Sequence, residues 1–137
     1  MDALYTAIAT ATQGREGRAT TSDGSLDLQL AMPKALGGSG EGNNPEQLFA
    51  AGYAACFGGA LGITGRQAGV DLSKVVVSGE VSIGKEGEGL ALAVVLRITL
   101  PNGVDRATGQ ELVEKAHLVC PYSNAIRGNV PVQLVVE

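Results

Sequence analysis

Aromatic residues make up only 4% of this 137-residue chain and tryptophan is absent, so ring surface cannot supply most of a core. Val, Leu, Ile and Ala have to build it, within a hydrophobic content of 45%. Cysteine and histidine are scarce too, two and one respectively. Three such side chains fall short of the four protein ligands usual in a structural zinc site, so no metal site is expected. Lys and Arg total 10 against 14 Asp and Glu, a formal net charge of -4, and the basic residues never gather in a block. That balance argues against nucleic acid or an anionic membrane as partner. Met1-Asp2-Ala3-Leu4-Tyr5 has neither the basic segment nor the sustained apolar run of a secretory signal. The most apolar window, 48–64, is glycine-rich and short for a bilayer span. No repeat or low-complexity tract is visible. These absences leave one soluble, cytoplasmic domain over residues 1–137 as the expectation.

What is present centres on residues 44–59. Asn44 and Gln47, with Pro45 between them, are a capping box with proline at the first helical position, so a helix starts here. Glu46 apart, nothing in it is charged before Arg66. A helix so apolar runs through an interior or between two subunits. Residues 49, 52, 53, 56, 59 and 60 fall on one stripe, which puts Cys56 beside Gly52 and Gly59 with Phe49 and Tyr53 below it. Gly52, Gly58, Gly59, Gly62 and Gly65 each cost a helix about 1 kcal/mol relative to alanine. Close approach of another element or chain would offset that cost, as would room for a ligand at the thiol.

Elsewhere the pattern is that of strands. Residues 4–31 alternate in short runs, 5–10 and 26–30, broken by 13–17 and by Asp23-Gly24, a tight turn. Residues 37–43 form a loop into the helix. Runs at 75–83 and 90–100 flank a hairpin loop at 84–89, and Leu90, Leu92, Val94, Leu96, Ile98 and Leu100 mark one apolar face. Thr108 with Glu111 suggests a second helix, carrying Leu112, Val113, Ala116, Val119 and Cys120 inward. Pro121 then turns the backbone at Cys120. A short turn or helix follows at 122–129 and a closing strand at 130–136. His117, near Glu114, reads as a surface residue rather than a catalyst.

A cysteine attacks as thiolate, and Cys56 gets little help from its own helix. It lies roughly 18 Å from the helix start, beyond the reach of the terminal dipole, and burial raises a thiol pKa. Arg66 is roughly 15 Å further on. A reactive Cys56 therefore needs a cation from elsewhere in the chain or from a second chain.

The segments Gly14-Arg15-Glu16-Gly17-Arg18-Ala19-Thr20-Thr21-Ser22-Asp23-Gly24, 44–57 and Val119-Cys120-Pro121-Tyr122-Ser123-Asn124-Ala125-Ile126-Arg127-Gly128-Asn129 together resemble the organic hydroperoxide resistance family of the OsmC-like superfamily. The resemblance spans essentially the whole chain, and Ile126 stands where a smaller or polar residue is expected. It implies an α+β, OsmC-like fold with antiparallel sheets around a long central helix in an intertwined homodimer. It also implies a thiol peroxidase without cofactor, with Cys56 attacking an organic hydroperoxide and Cys120 resolving it as a disulfide. Arg18, chosen over Arg15 on motif alignment and held by Glu46, would shape the site. A lipoylated protein or dihydrolipoamide would be the reductant. Phe49, Tyr53 and Phe57 would line the place of an alkyl tail. A redox-sensing or small-molecule binding module without efficient turnover, or a structural dimer, are the competing readings.

Overall fold

The computed structural model describes all 137 residues, and their internal contacts divide the chain into two compact units, Met1–Leu48 and Phe49–Glu137. In the first, β1 (Ala9–Thr12), β2 (Arg18–Thr21) and β3 (Asp27–Gln29) form an antiparallel meander. The first strand lies later than the expected 5–10. The breaker after it folds as a single 3-10 turn, Gly14–Glu16, entered through left-handed backbone at Gln13 (φ 57°) and Gly14 (φ 56°). Gly17 closes that turn where a Cβ would lie 1.7 Å from the Thr12 carbonyl oxygen, so the backbone returns there only as glycine. Asp23-Gly24 makes the expected turn: Gly24 has φ 74°, and Asp23 Oδ1 accepts hydrogen bonds from the Ser25 amide and the Thr21 hydroxyl.

The long helix α1 (Pro45–Ala68) begins where the capping box placed it. Asn44 Oδ1 accepts from the Gln47 amide at 2.9 Å and Gln47 Oε1 accepts from the Asn44 amide at 3.1 Å. At 24 residues α1 is long and apolar enough, by length and composition alone, to cross a membrane, which the shorter window in the sequence did not suggest. Its buried residues are Tyr53, Phe57, Ala60, Leu61, Thr64 and Gly65. This stripe is rotated from the expected one: Gly59 is exposed, together with Ala51, Ala55 and Ile63, while Phe57 and Leu61 take the inward positions.

In the second unit β4 (Val76–Glu86) and β5 (Gly89–Thr99) pair antiparallel along their whole length, and β6 (Val132–Val136) joins β5 in parallel. The expectation of antiparallel sheets therefore fails at β6. Between β5 and β6 the chain runs through α2 (Arg106–Val119) and α3 (Pro121–Ile126), and a helical crossover returns a strand in the direction it left. The hairpin loop narrows to Gly87-Glu88, with Gly87 at φ 58°. Along β5 the alternation holds where it meets the core, at Val94, Leu96 and Ile98, while Leu90 at the hairpin tip is exposed.

α2 starts earlier than Thr108 and Glu111 indicated. Asp105 is the N-cap, accepting from the Thr108 amide at 3.0 Å, and Thr108 occupies the third position. Leu112, Val113, Ala116 and Cys120 face inward as expected, but Val119 is exposed. Tyr53 and Phe57, both fully buried, sit among Leu61, Leu96, Ile98 and Val113, so two of the few rings occupy the centre of an aliphatic core. Close approach accounts for part of the glycine content. A Cβ on Gly79 of β4 would lie 2.8 Å from the Ala50 carbonyl oxygen, and one on Gly52 would lie 2.9 Å from the Tyr122 hydroxyl; Gly59 has nothing within 4 Å.

Candidate active site

The two cysteines meet in the second unit. Cys56 projects half-buried from the middle of α1, and Cys120, fully buried, ends α2. Their sulfurs lie 3.6 Å apart with both thiols free. A disulfide needs about 2.05 Å, so closure asks for an approach of about 1.5 Å. Pro121 explains the placement of Cys120. The proline bars it from helical backbone, and at φ -63°, ψ 123° it serves as the last residue of α2 and the N-cap of α3. Its amide still donates to the Ala116 carbonyl at 2.8 Å, and its carbonyl accepts from the Asn124 amide at 2.9 Å, so both helices stay anchored across the bend.

Burial pushes the Cys56 thiol above its ordinary pKa. The backbone N–H of Tyr122, in the first turn of α3, opposes this by favouring the thiolate, while the neighbouring Cys120 sulfur raises the pKa further, since two thiolates this close repel. The second unit thus holds a sulfur pair at short range with the first proton still hard to remove.

The charged residues named from the sequence are arranged differently from expectation. Glu46, in the first turn of α1 with its side chain 12% exposed, is gripped by Arg15 and not by Arg18. Arg15 Nη1 donates to Oε2 at 2.9 Å and Nη2 to Oε1 at 2.8 Å, a two-pronged pair that holds the guanidinium in one plane. These bonds raise the pKa of Arg15 and lower that of Glu46. Arg18 instead donates to Asp27 from Nε at 2.6 Å and Nη2 at 2.9 Å, on an exposed surface. The strand register explains the exchange: Asp27 opposes Thr20, two residues along from Arg18, so the two side chains share a face of the sheet. Arg15, on the 3-10 turn outside the ladder, is the one left to reach Glu46.

Around the sulfurs, rings pack edge to face. Phe49 lies 6.1 Å from Tyr53 and 6.2 Å from Tyr122, and Tyr53 lies 6.4 Å from Phe57, centroid to centroid. Tyr53 and Phe57 are fully buried and offer no accessible surface in this chain; Phe49 is half-buried and Tyr122 exposed. Tyr122 escaped the sequence reading, although Gly52, the only α1 glycine with a ring against it, marks its seat. His117 is not a surface residue. Its ring is partly buried and Nδ1 lies 2.9 Å from the Ser123 hydroxyl, which lies 2.7 Å from that of Tyr53. Ile126 packs half-buried against the hydrophobic core. No group of His, Cys, Asp and Glu side chains is arranged to hold a metal ion.

A family model described as OsmC-like protein matches residues 38–135. An organic hydroperoxide resistance protein of Xanthomonas axonopodis pv. citri (strain 306) is 55% identical over 135 residues, 97% of this chain and 94% of that one. The organic hydroperoxide resistance protein OhrB of Bacillus subtilis (strain 168) is 46% identical over 98% of this chain and 99% of its own. A crystal structure of an organic hydroperoxide resistance protein from Legionella pneumophila, 50% identical, superposes with a TM-score of 0.94 over 99% of each chain.

Proposed function

The chain belongs to the OsmC-like family, among the organic hydroperoxide resistance proteins, and from that footing we propose that it is a cysteine-based peroxidase that reduces organic hydroperoxides to alcohols. The observation that carries this reading is the pair of free sulfurs 3.6 Å apart, one partly open to solvent and the other buried behind it. The Cys56 thiolate gives an electron pair to the outer oxygen of the hydroperoxide. The O–O bond breaks, the alkoxide leaves with its electron pair and takes up a proton as alcohol, and Cys56 becomes a sulfenic acid. Cys120 then attacks the Cys56 sulfur, its proton leaving with the hydroxyl as water, and the Cys56–Cys120 disulfide forms. A dithiol reduces that bond by exchange. In this reading the dithiol is a dihydrolipoyl group, free or on a lipoylated protein.

Cys56 has a raised pKa and needs a cation; the resemblance gives that role, stabilising first the thiolate and then the departing alkoxide, to an arginine held by Glu46, and the arginine so held in this chain is Arg15. Arg18, committed to Asp27 on the surface, is relieved of that role. Phe49 and Tyr122 give an alkyl tail apolar area to cover, worth about 25 cal/mol per Å², with Tyr53 and Phe57 as the buried backing. The family match crosses the division between the two units, which supports reading residues 1–137 as one OsmC-like domain. A homodimer is proposed on the exposed apolar face of α1, where Ala51, Ala55, Gly59 and Ile63 lack cover in a single chain. The apolar face turned to a partner chain and the buried face turned to the core together suit a soluble, cytoplasmic protein.

One observation favours a non-catalytic redox module instead, the raised pKa of Cys56. Steady-state turnover of tert-butyl hydroperoxide with dihydrolipoamide separates the two. Cys56→Ser is expected to abolish turnover, and Cys120→Ser to permit a single oxidation. Mass analysis after one equivalent of hydroperoxide should find residues 56 and 120 cross-linked within one chain. Equal multiple-turnover activity in both variants would defeat the assignment.

A further inference from the structure

A fully buried hydroxyl, Ser123, lies between two other polar groups that the peroxidase chemistry does not use. It shares a 2.7 Å hydrogen bond with the buried Tyr53 hydroxyl and a 2.9 Å one with His117 Nδ1. No buried side-chain nitrogen or oxygen in the chain lacks a partner, so this short chain is completely satisfied. Its three members have a common relation to the sulfurs. Tyr53 is three residues before Cys56 on α1, His117 is three before Cys120 on α2, and Ser123 is three after Cys120 on α3. Residues three apart on a helix stack on one face, so the hydrogen bonds join the turn carrying one sulfur to both helices that flank the other. The Arg127 guanidinium secures the junction from outside, donating to the His117 carbonyl and to Asn124 Oδ1.

Cys120 needs such a brace. It sits in extended backbone between two helices, where regular helical bonding does not fix its side chain, and it must travel about 1.5 Å to bond with Cys56. A satisfied buried polar chain fixes one arrangement where apolar packing alone tolerates several. We propose that Tyr53, Ser123 and His117 are positioning residues for the resolving step: they hold the Cys120 sulfur in line with Cys56 and set the rate of disulfide closure, leaving attack on the hydroperoxide untouched. This rests on the reading of Cys56 as the oxidised and Cys120 as the resolving thiol.

The test separates the two steps in the full-length protein with one equivalent of tert-butyl hydroperoxide, trapping sulfenic acid with dimedone and following the disulfide by mass. Wild type must show both species; if it forms no Cys56 sulfenic acid, the peroxidase reading fails and not the brace. Ser123→Ala, which removes only a hydroxyl, should oxidise within about twofold of wild type yet close the disulfide about 10- to 100-fold more slowly, since misplacement of reacting atoms on the order of 1 Å costs up to about 100-fold. His117→Leu should behave alike. His117→Asn, which returns a hydrogen-bonding atom near the Nδ1 position, should recover the closure rate, and it also serves should a buried variant fold poorly. Unchanged closure in all variants, equal slowing of both steps, or no difference between His117→Asn and His117→Leu would each overturn the proposal.

Discussion

Arg15→Ala should slow the oxidation of Cys56 steeply near neutral pH, and Arg18→Ala should not. The size of the loss follows from the sulfur. Burial pushes the Cys56 thiol above its ordinary pKa, so without a cation little of it is thiolate at pH 7. In the proposed role the Arg15 charge would lower the Cys56 pKa by about 1 to 3 units, so its removal would cost about 10- to 1,000-fold in thiolate at pH 7. Arg18 pairs with Asp27 where both side chains are about half exposed, so its loss should change the rate by less than about twofold. The assay is stopped-flow oxidation by tert-butyl hydroperoxide from pH 6 to pH 10. The deficit of Arg15→Ala should shrink above pH 9, where hydroxide does the deprotonating, leaving only the contribution to the departing alkoxide. Wild-type rates in Arg15→Ala, or an equal loss in Arg18→Ala, would refute the assignment. A deficit as large at pH 10 as at pH 7 would refute the thiolate argument itself.

Two further outcomes follow from packing and charge. Gly79→Ala would drive a Cβ to 2.8 Å from the Ala50 carbonyl oxygen, and urea denaturation should register a loss of about 1 to 3 kcal/mol. His117 has its pKa lowered, first by burial and then by the Arg127 charge, so the unfolded chain takes up a proton near pH 6.5 before the folded one does. Its contribution to stability is therefore complete above pH 6.5 and is lost as the pH falls through the lower folded value; His117→Asn should flatten that part of the urea midpoint against pH.

The sequence showed most clearly what depends on neighbours in the chain. The Asn44–Gln47 box, the break that Pro121 imposes on Cys120 and the alternation of β5 are each decided within a few residues, and each has its expected form. What it hid depends on register and long-range pairing. Arg15 and Arg18 flank one glycine-rich turn and are indistinguishable by composition; only the β2–β3 register, which brings Asp27 beside Arg18, decides which one reaches Glu46. The rotation of the buried stripe on α1 was hidden for a similar reason. A helix apolar on every side gives no sign of its inward face, and that face is chosen by what meets it, here β4 at Ala50 and Tyr122 at Gly52. His117 looked like a surface residue because Ser123, its partner, lies beyond the bend at Pro121, where helical spacing stops predicting neighbours.

The proposed peroxidase chemistry asks two things of this chain, sulfurs held at short range and a first sulfur that can ionise. The second unit holds the spacing of the sulfurs on its own, through the bend at Cys120 and the bonds from Ser123, and in doing so buries Cys56 and raises its pKa. The first unit carries Arg15, set on a turn that Gly17 alone can close, and Glu46 grips it at the start of the helix that bears Cys56. Burial that favours pairing of the sulfurs works against ionising the first of them. The two sets of variants should then fail in different steps: Arg15→Ala before the sulfenic acid forms, Ser123→Ala after it. A double variant should show both defects multiplied, because neither group acts through the other.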